Sequence, residues 1–228
     1  FDMGIFTDSH VRLHKVKAAL QKSAPRYVAL VQSILTFATA QDWDGRAIFD
    51  FVNKNLPSTV TILTGSHATN YPGRAVADGT CNYSLKGEVD QSLPHLIELL
   101  EEENTDLSSV PGLSYKCANE VVNDHRYPST DIATLPIPAY EILDATHIQG
   151  YEKTVERGKI RYPERSRKYR DIMTSKSCTL RCSFCSVAHF RGNMNKYRRK
   201  PTDIVITEIQ QALDQGIEEI HFFDDLFA

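Results

Sequence analysis

Short apolar runs alternate with amphipathic stretches along the first 110 residues. The pattern predicts strands over residues 1–5, 26–34, 59–63 and 82–86, and helices over 9–22, 41–55 and 90–103. The run at 26–34 (RYVALVQSI) is typical of a strand buried on both faces. Strands that alternate with helices indicate βαβ units and a mostly parallel sheet. The second helix is expected to bury Trp43, Ala47, Ile48, Phe51 and Val52.

The second half of the chain has a different pattern. Residues 111–123 predict a hairpin that turns at Ala118-Asn119, and the prolines of 135–138 mark a linker. Beyond the linker we expect a strand over 170–174, a helix over 201–215 that stops at Gly216, and a strand over 219–223.

These last elements resemble the opening of a larger α/β domain. A (β/α) barrel runs to ~200 residues or more. We therefore expect the chain to be a fragment that lacks later barrel elements and also an initial strand and helix. Parallel sheets bind ligands beyond the carboxyl ends of their strands. In the first half, the loops at that edge would begin at Ser33, Gly65 and Gly87.

Charge is distributed unevenly, although the net charge is only −3. Residues 151–200 hold 15 Lys and Arg against 4 Asp and Glu, and the rest of the chain holds 11 against 25. Basic residues interleaved with Tyr151, Tyr162, Tyr169 and Tyr197 could bind nucleic acid by pairing with phosphates and stacking on bases. We favour the alternative of a solvated linker with charges near an anionic cofactor, and expect no nucleic-acid partner.

Five cysteines are present, and three of them lie within eight residues. An odd, crowded set is a poor disulfide framework and indicates a reducing compartment. We interpret the isolated Cys81 and Cys117 as small buried hydrophobes. No window is apolar enough to span a membrane, and no signal peptide is expected.

The spacing Cys178-x3-Cys182-x2-Cys185 suits a soft metal or cluster. Three thiolates can hold three corners of a four-iron cluster and leave the fourth iron open, whereas a ferredoxin would need a fourth cysteine. The alternative is a zinc site closed by His189.

The cysteine spacing, with Phe184 before the last cysteine, resembles the signature of radical S-adenosylmethionine (SAM) enzymes. RKPTDIVITE at 199–208 and IHFFDDLF at 220–227 resemble the subclass that has an N-terminal cobalamin-binding domain. LTGSHAT at 63–69 and LKGEVDQSL at 85–93 are similar to loops of that domain, and VPGLSYK at 110–116 and LPIPAYEIL at 135–143 are similar to its connecting segments.

The resemblance is not complete. The family often has Arg-Gly before the first cysteine and Pro soon after it, and here Lys176, Ser177 and Thr179 occupy those places. Ser66 replaces the second glycine of a glycine pair, and Val89-Asp90 replaces a second Gly-Glu. These departures remove none of the three cysteines.

The resemblance implies a fold and a division of the chain. The fold is α/β: an N-terminal Rossmann-like, flavodoxin-like parallel sheet of the cobalamin-binding type, followed by the start of a partial (β/α) barrel. We place the cobalamin-binding-like domain at residues 1–144, a basic linker at 145–168 and the truncated barrel at 169–228.

The resemblance also implies the cofactors and the residues that bind them. Cys178, Cys182 and Cys185 would hold a 4Fe–4S cluster whose open iron binds SAM. Asp224, Asp225 and Phe184 would contact SAM; the alternative for the aspartates is a helix cap. Arg199 matches a recurrent arginine, or is a solvated residue. The expected cobalamin contacts are Ser33, Gly65, Ser66, His67, Gly87 and Glu88.

Two histidines have competing interpretations. His67 could instead be a hydrogen-bonded loop histidine with no cofactor. Asp8-Ser9-His10 begins the D-x-H-x-x-G pattern whose histidine ligates cobalt, but Leu13 stands where glycine is needed. We therefore interpret His10 as a surface residue of a helix.

The implied function is reductive cleavage of SAM to a 5′-deoxyadenosyl radical, for methyl transfer to an unactivated carbon or for cyclase or rearrangement chemistry. The implied setting is the cytoplasm, with a small-molecule substrate and a reductant such as flavodoxin or ferredoxin. Two alternatives stay open: an N-terminal domain that serves for docking without cobalamin, and a non-catalytic zinc or iron–sulfur interaction protein.

Overall fold

The computed structural model describes residues 9–32, 44–140, 169–180, 182–185, 187 and 197–227. The chain divides into two compact units. We call the described part of Leu13–Thr130 the sheet unit, and the described part of Cys182–Asn193 is grouped with it. We call the described part of Asp131–Arg181 and Met194–Ala228 the βαβ unit.

The sheet unit follows the predicted alternation of strands and helices. Its helices are α1 (Ser9–Ser23, which starts before the unit), α2 (Asp44–Asn55), α3 (Ser66–Asn70), α4 (Arg74–Ala77) and α5 (Ser92–Glu101). Its strands are β1 (Tyr27–Gln32), β2 (Val60–Gly65), β3 (Tyr83–Leu85), β4 (Leu113–Cys117) and β5 (Glu120–Asn123). The strand predicted over residues 1–5 and the start of α2, with Trp43, lie outside the described residues.

The five strands form one sheet in the order β1-β2-β3-β4-β5. The β1–β2 and β2–β3 pairs are parallel, with Leu30 opposite Leu63 and Ile62 opposite Tyr83. The predicted hairpin β4–β5 turns at Ala118, whose φ is +55°, and adds two antiparallel pairs beyond β3. The carboxyl ends of β1, β2 and β3 therefore meet at one edge, as the sequence predicts.

An apolar core lies between the sheet and α5. It consists of Ile62, Leu85, Leu96, Leu99, Leu107, Val110 and Leu113. Burying each of these side chains stabilises the fold by about 1.5–3 kcal/mol. On α2, Ile48 and Val52 are buried as predicted, whereas Ala47 and Phe51 are only half-buried. Phe49, which was not predicted, is fully buried.

The prediction that β1 is buried on both faces is wrong for the residues described. Val28 is buried, but Val31 is 81% exposed. Ala29, which points the same way as Val31, is also exposed, so only one face of β1 is covered within the described residues. Composition alone does not show whether one face or both faces of a strand are covered.

The βαβ unit contains a parallel pair joined by a helix. Strands β6 (Tyr169–Ile172) and β9 (Glu219–Phe222) pair in register from Tyr169 opposite Glu219. Helix α6 (Thr202–Asp214) joins them, and it ends before Gly216, whose φ is +77°. The short strands β7 (Ser175–Lys176) and β8 (Arg198–Arg199) pair antiparallel, and a 3-10 turn lies at Ile132–Thr134. The strand–helix–strand order predicted for this region is therefore confirmed, and its place at the start of a barrel stays a prediction.

The buried face of α6 holds a charged side chain, Glu208, together with the apolar Ala212. Glu208 is 1% exposed, and its carboxylate accepts hydrogen bonds from Lys200 Nζ (2.5 Å) and the Tyr140 hydroxyl (2.8 Å). The Tyr140 ring also stacks under the Arg170 guanidinium, 4.0 Å from its centroid. Burial and the neighbouring Glu208 carboxylate raise the pKa of Tyr140. This network holds the end of the linker segment 135–140 against α6 and β6.

Within the described residues, the structure has no helix that is both long enough and apolar enough to cross a membrane.

Candidate functional site

The loop after β2 starts with an unusual backbone conformation. Gly65 has φ +90° and ψ −162°, a region that essentially only glycine occupies. The chain then turns directly into α3, which places Ser66 half-buried and His67 almost fully buried, at 6% exposure. The sequence predicted a ligand loop at this position, and the structure shows why glycine is required at its first residue.

His67 lies inside this loop beside an aromatic ring. Its ring centroid is 5.4 Å from that of Tyr71, which is 47% exposed and lies under the Arg74 guanidinium. Burial, aided by the positive charge of Arg74, lowers the pKa of His67. The imidazole is therefore neutral near pH 7, the form in which one ring nitrogen donates and the other accepts.

The loop after β3 is held against the His67 loop by a residue that sequence reasoning missed. Thr69 Oγ1 donates to Gly65 O (2.8 Å) and accepts from Gly87 N (2.9 Å). One hydroxyl thus brings together the two predicted loops. The sequence feature that could have pointed to Thr69 is its position at the end of LTGSHAT, one helical turn after Gly65.

Glu88 is held inside the fold. It is 4% exposed, and its Oε2 accepts from the Thr130 amide at 2.8 Å. Gly87 has φ +75°, and a Cβ there would lie 2.9 Å from the Tyr127 ring. Glu88 therefore anchors the segment 127–130 over the strand end, a role the sequence did not predict. Ser33 and the side chain of His10 lie outside the described residues.

The three clustered cysteines are free thiols. Cys182 is exposed, Cys178 and Cys185 are half-buried, and the Phe184 ring is 91% exposed. The Leu180 amide donates to Cys178 Sγ (3.4 Å), and the Cys185 amide donates to Cys182 O (3.0 Å). Among the described residues, no three His, Cys, Asp or Glu side chains converge as a metal site. Three accessible soft donors within eight residues nonetheless fit a thiolate-ligated cluster by their chemistry.

The segment leading into Cys178 is tied to the end of β9. Asp224 accepts from the Thr174 amide (2.7 Å), the Thr174 hydroxyl (2.5 Å) and the Ser175 amide (2.9 Å). Asp225 accepts from the Ser177 amide at 2.8 Å. The structure therefore brings the predicted Asp224-Asp225 pair to the residues just before the first cysteine. The sequence did not predict the roles of Thr174, Ser175 and Ser177. The feature that could have pointed to them is the group of hydroxyl residues just before the cysteine motif.

The other candidate cysteines differ from each other. Cys81 is buried as predicted, and burial raises the pKa of its thiol to about 12. Cys117 is exposed at the end of β4, so the prediction that it is buried is wrong. Since it closes a hairpin at the edge of the sheet, its side chain lies outside the core. His189, the proposed zinc ligand, lies outside the described residues.

The basic segment is described only in part. Tyr151 and Tyr162 lie outside the described residues, and Tyr169 and Tyr197 are half-buried. The Tyr197 hydroxyl donates to Leu226 O (3.2 Å), and its ring lies 5.0 Å from the exposed Arg199 guanidinium. These two tyrosines contact their own chain, which favours the structural interpretation over base stacking.

The chain resembles known methyltransferases in sequence and structure. No protein-family model matches it. An uncharacterized methyltransferase of Pyrococcus horikoshii, PH0819, is 24% identical over 197 residues, which cover 85% of this chain and 39% of that protein. The chain thus spans about two fifths of that relative's length.

Two solved structures share the fold. The cobalamin-dependent SAM radical enzyme OxsB, solved with aqua-cobalamin and SAM bound, matches with a TM-score of 0.72 and 19% identity over 100% of this chain and 28% of its own. The radical SAM methyltransferase TsrM from Kitasatospora setae, solved with tryptophan and a SAM analogue, matches with a TM-score of 0.65 and 18% identity over 96% of this chain and 40% of its own. TsrM was also solved with cobalamin and a 4Fe–4S cluster bound. At these identities the likeness establishes the α/β fold that the sequence predicted.

Proposed function

We propose that this chain, a partial match to cobalamin-dependent radical SAM enzymes, forms the cobalamin-binding and cluster-binding part of a methyltransferase that acts on an unactivated carbon. The observation that carries the proposal is the Cys178-x3-Cys182-x2-Cys185 motif, three free thiols that follow the strands β6 and β7 along the chain. The likeness to PH0819, OxsB and TsrM supports it.

In this proposal the three thiolates hold three irons of a 4Fe–4S cluster. The bound cofactors supply the chemistry: an electron that cleaves SAM to a 5′-deoxyadenosyl radical, and a methyl group carried on cobalamin. The protein's part is to place the cofactors and exclude water. The almost fully exposed Phe184 ring, between the second and third cysteines, is free to pack against SAM.

The carboxyl edge of the sheet unit is the proposed cobalamin site. Its loops begin at Gly65 and Gly87, which Thr69 joins, and Ser33 belongs to the same proposal. Three features fit a large, partly apolar cofactor: the Gly65 backbone, which has no side chain to keep a ligand away, a neutral His67, and the exposed Tyr71 ring beside it. Glu88 would act indirectly, by holding the loop from within.

A small-molecule substrate and a reductant of the flavodoxin or ferredoxin type complete the proposal. The tryptophan bound to TsrM is an example of such a substrate in a protein of the same fold.

The test is metal content and SAM cleavage in the full-length protein, purified anaerobically from cells supplied with cobalamin. We expect about four irons and about one cobalt per chain, and 5′-deoxyadenosine after reduction with SAM. Replacing the three clustered cysteines with alanine should abolish both iron binding and 5′-deoxyadenosine, whereas the matched control Cys117→Ala should change neither, because Cys117 is exposed and far from the motif in sequence.

Two other results of the metal analysis would each correct one part of the proposed function. Iron without cobalt would make the sheet unit a docking module of a radical SAM enzyme. Zinc alone would overturn the catalytic proposal and leave a structural metal site.

A further inference from the structure

We propose that Asp224 and Asp225 are positioning residues that hold the backbone entering Cys178, and that they do not bind the amino group of SAM. The importance of this contact for the cluster depends on the proposed function. The structural basis of the inference is the set of hydrogen bonds between the end of β9 and residues 174–177.

Asp224 is occupied by its own chain. One carboxylate oxygen accepts from two successive amides, those of Thr174 and Ser175, and the other accepts from the Thr174 hydroxyl. Hydrogen bonds to an ionised carboxylate are stronger than those between neutral groups. Both oxygens therefore face the segment before the cysteines, and neither needs an external ammonium group as a partner.

The same segment is held from two further directions. The Ser175 hydroxyl donates to Leu226 O, and the Lys200 amide donates to Thr174 O. Ser175 and Ser177 are 1% and 0% exposed. The stretch 174–177 before Cys178 is thus hydrogen-bonded, and its last three residues are buried, whereas the thiols that follow it are accessible.

Asp225 supports a strained residue. Ser177 has φ +75°, in the left-handed region that L-residues with a Cβ seldom adopt. It is also the position where the resembled family often has glycine. Asp225 accepts from the Ser177 amide, and Arg198 donates to its hydroxyl at 3.2 Å. We infer that these two contacts let serine adopt a conformation that glycine would adopt without support.

This predicts a specific rescue. If Asp225 acts by holding Ser177 in the left-handed conformation, then glycine at 177 should make Asp225 dispensable. Ser177→Gly should not restore a variant that lacks Asp224, because Asp224 holds Thr174 and Ser175 rather than Ser177. A carboxylate that bound SAM would show no such dependence on residue 177.

The first measurement is hydrogen exchange of the amides of residues 174–178 in the reduced, iron-free protein. We expect Asp224→Ala and Asp225→Ala to speed exchange by about tenfold or more, the factor for loss of one hydrogen bond to a charged acceptor. The matched control is Asp214→Ala, an exposed aspartate at the end of α6 whose carboxylate contacts only Gln210 among the described hydrogen bonds. It should leave exchange at 174–178 unchanged.

The second measurement is iron per chain after anaerobic reconstitution. We expect Asp225→Ala to lose at least half of the iron, the Asp225→Ala/Ser177→Gly double variant to recover it, and Ser177→Gly alone to match the wild type. Far-UV circular dichroism of each variant identifies global unfolding. If Asp225→Ala alone unfolds, recovery of both fold and iron in the double variant still supports the proposal, and no recovery overturns it.

The third measurement is the electron paramagnetic resonance spectrum of the reduced cluster with and without SAM. Variants that retain iron should still show the change that SAM causes. Normal exchange and iron content together with loss of that change would overturn the proposal and make the aspartates SAM contacts. Failure of the proposed function is distinguishable, because it would appear as absent iron in the wild type, whereas the exchange measurement needs no cluster.

Discussion

The two units place loops at their strand ends by different means. In the sheet unit, the loops after β2 and β3 pass through positive φ at Gly65 and Gly87. In the βαβ unit, the segment before the first cysteine passes through the same region at Ser177. Glycine enters this region without a steric penalty, whereas a residue with a Cβ loses about 1–2 kcal/mol. The serine is held there by Asp225 and Arg198.

The interiors of the two units also differ in how far they depend on charged contacts. The sheet unit packs aliphatic side chains between α5 and the sheet. The βαβ unit buries the carboxylate of Glu208, which is satisfied by Lys200 and Tyr140. Apolar packing tolerates moderate change, but a buried charge depends on each partner. The βαβ unit therefore relies on specific charged contacts, whereas the sheet unit relies on apolar packing and on the backbone freedom of glycine.

The largest effect is expected for Glu208→Gln. The amide keeps an oxygen that can accept from Lys200, but it carries no negative charge, so the buried ammonium would lose its ionic partner, which costs about 3–5 kcal/mol. Urea unfolding followed by hydrogen exchange of α6 and β9 peptides measures the loss. A loss below about 1 kcal/mol, the usual value of an exposed pair, would contradict the role assigned to the buried pair.

The next effect is expected for Gly87→Ala. Its Cβ would lie 2.9 Å from the Tyr127 ring and 3.1 Å from Pro128, at φ +75°. Backbone strain and overpacking together should cost about 2–4 kcal/mol of unfolding free energy. Gly79→Ala is the matched control, because Gly79 has φ +77° and open space around it, so only the strain of about 1–2 kcal/mol remains. Equal losses in the two variants would show that backbone conformation alone matters at Gly87.

A smaller effect is expected for Tyr140→Phe. The change removes the hydroxyl that donates to Glu208 Oε1 and keeps the ring stacked under Arg170. Loss of one hydrogen bond to a charged group should cost about 1.5–3 kcal/mol. Because Tyr140 and Glu208 share one network, the Tyr140→Phe/Glu208→Gln double variant should lose less than the sum of the single losses. If the same urea unfolding shows that the two single losses add up to the loss of the double variant, the Tyr140 contact and the Lys200–Glu208 ion pair are energetically independent.

The smallest effect is pH-dependent and belongs to His67. Burial lowers its pKa in the folded state below the ordinary value of about 6.5. As the pH falls through that ordinary value, the unfolded chain binds a proton before the folded one does, so stability falls until the folded pKa is reached. His67→Gln lacks this step. The difference in unfolding free energy, wild type minus variant, should therefore shrink between pH 8 and pH 5; a difference that grows on acidification would show a raised pKa.

The sequence alone determined the elements whose signals are local. Apolar patterns predicted eleven strands and helices that the described residues confirm, from α1 to β9, and Gly216 and Ala118-Asn119 marked a helix end and a turn. The cysteine spacing and the loop motifs led to the fold that OxsB and TsrM share. These features depend on residues close together along the chain, so their physical causes are visible in it.

Only the tertiary structure decided which partner each polar group meets. Thr69 joins two loops that lie 18 residues apart along the chain, Glu88 reaches the Thr130 amide 42 residues away, and Asp224 reaches Thr174 across 50 residues. The exposure of Cys117 and Val31 likewise depends on which other segments of the chain pack against them. A side chain's hydrogen-bond partner and burial are set by the packing of distant segments, and a pattern of residue types along one segment does not contain that information.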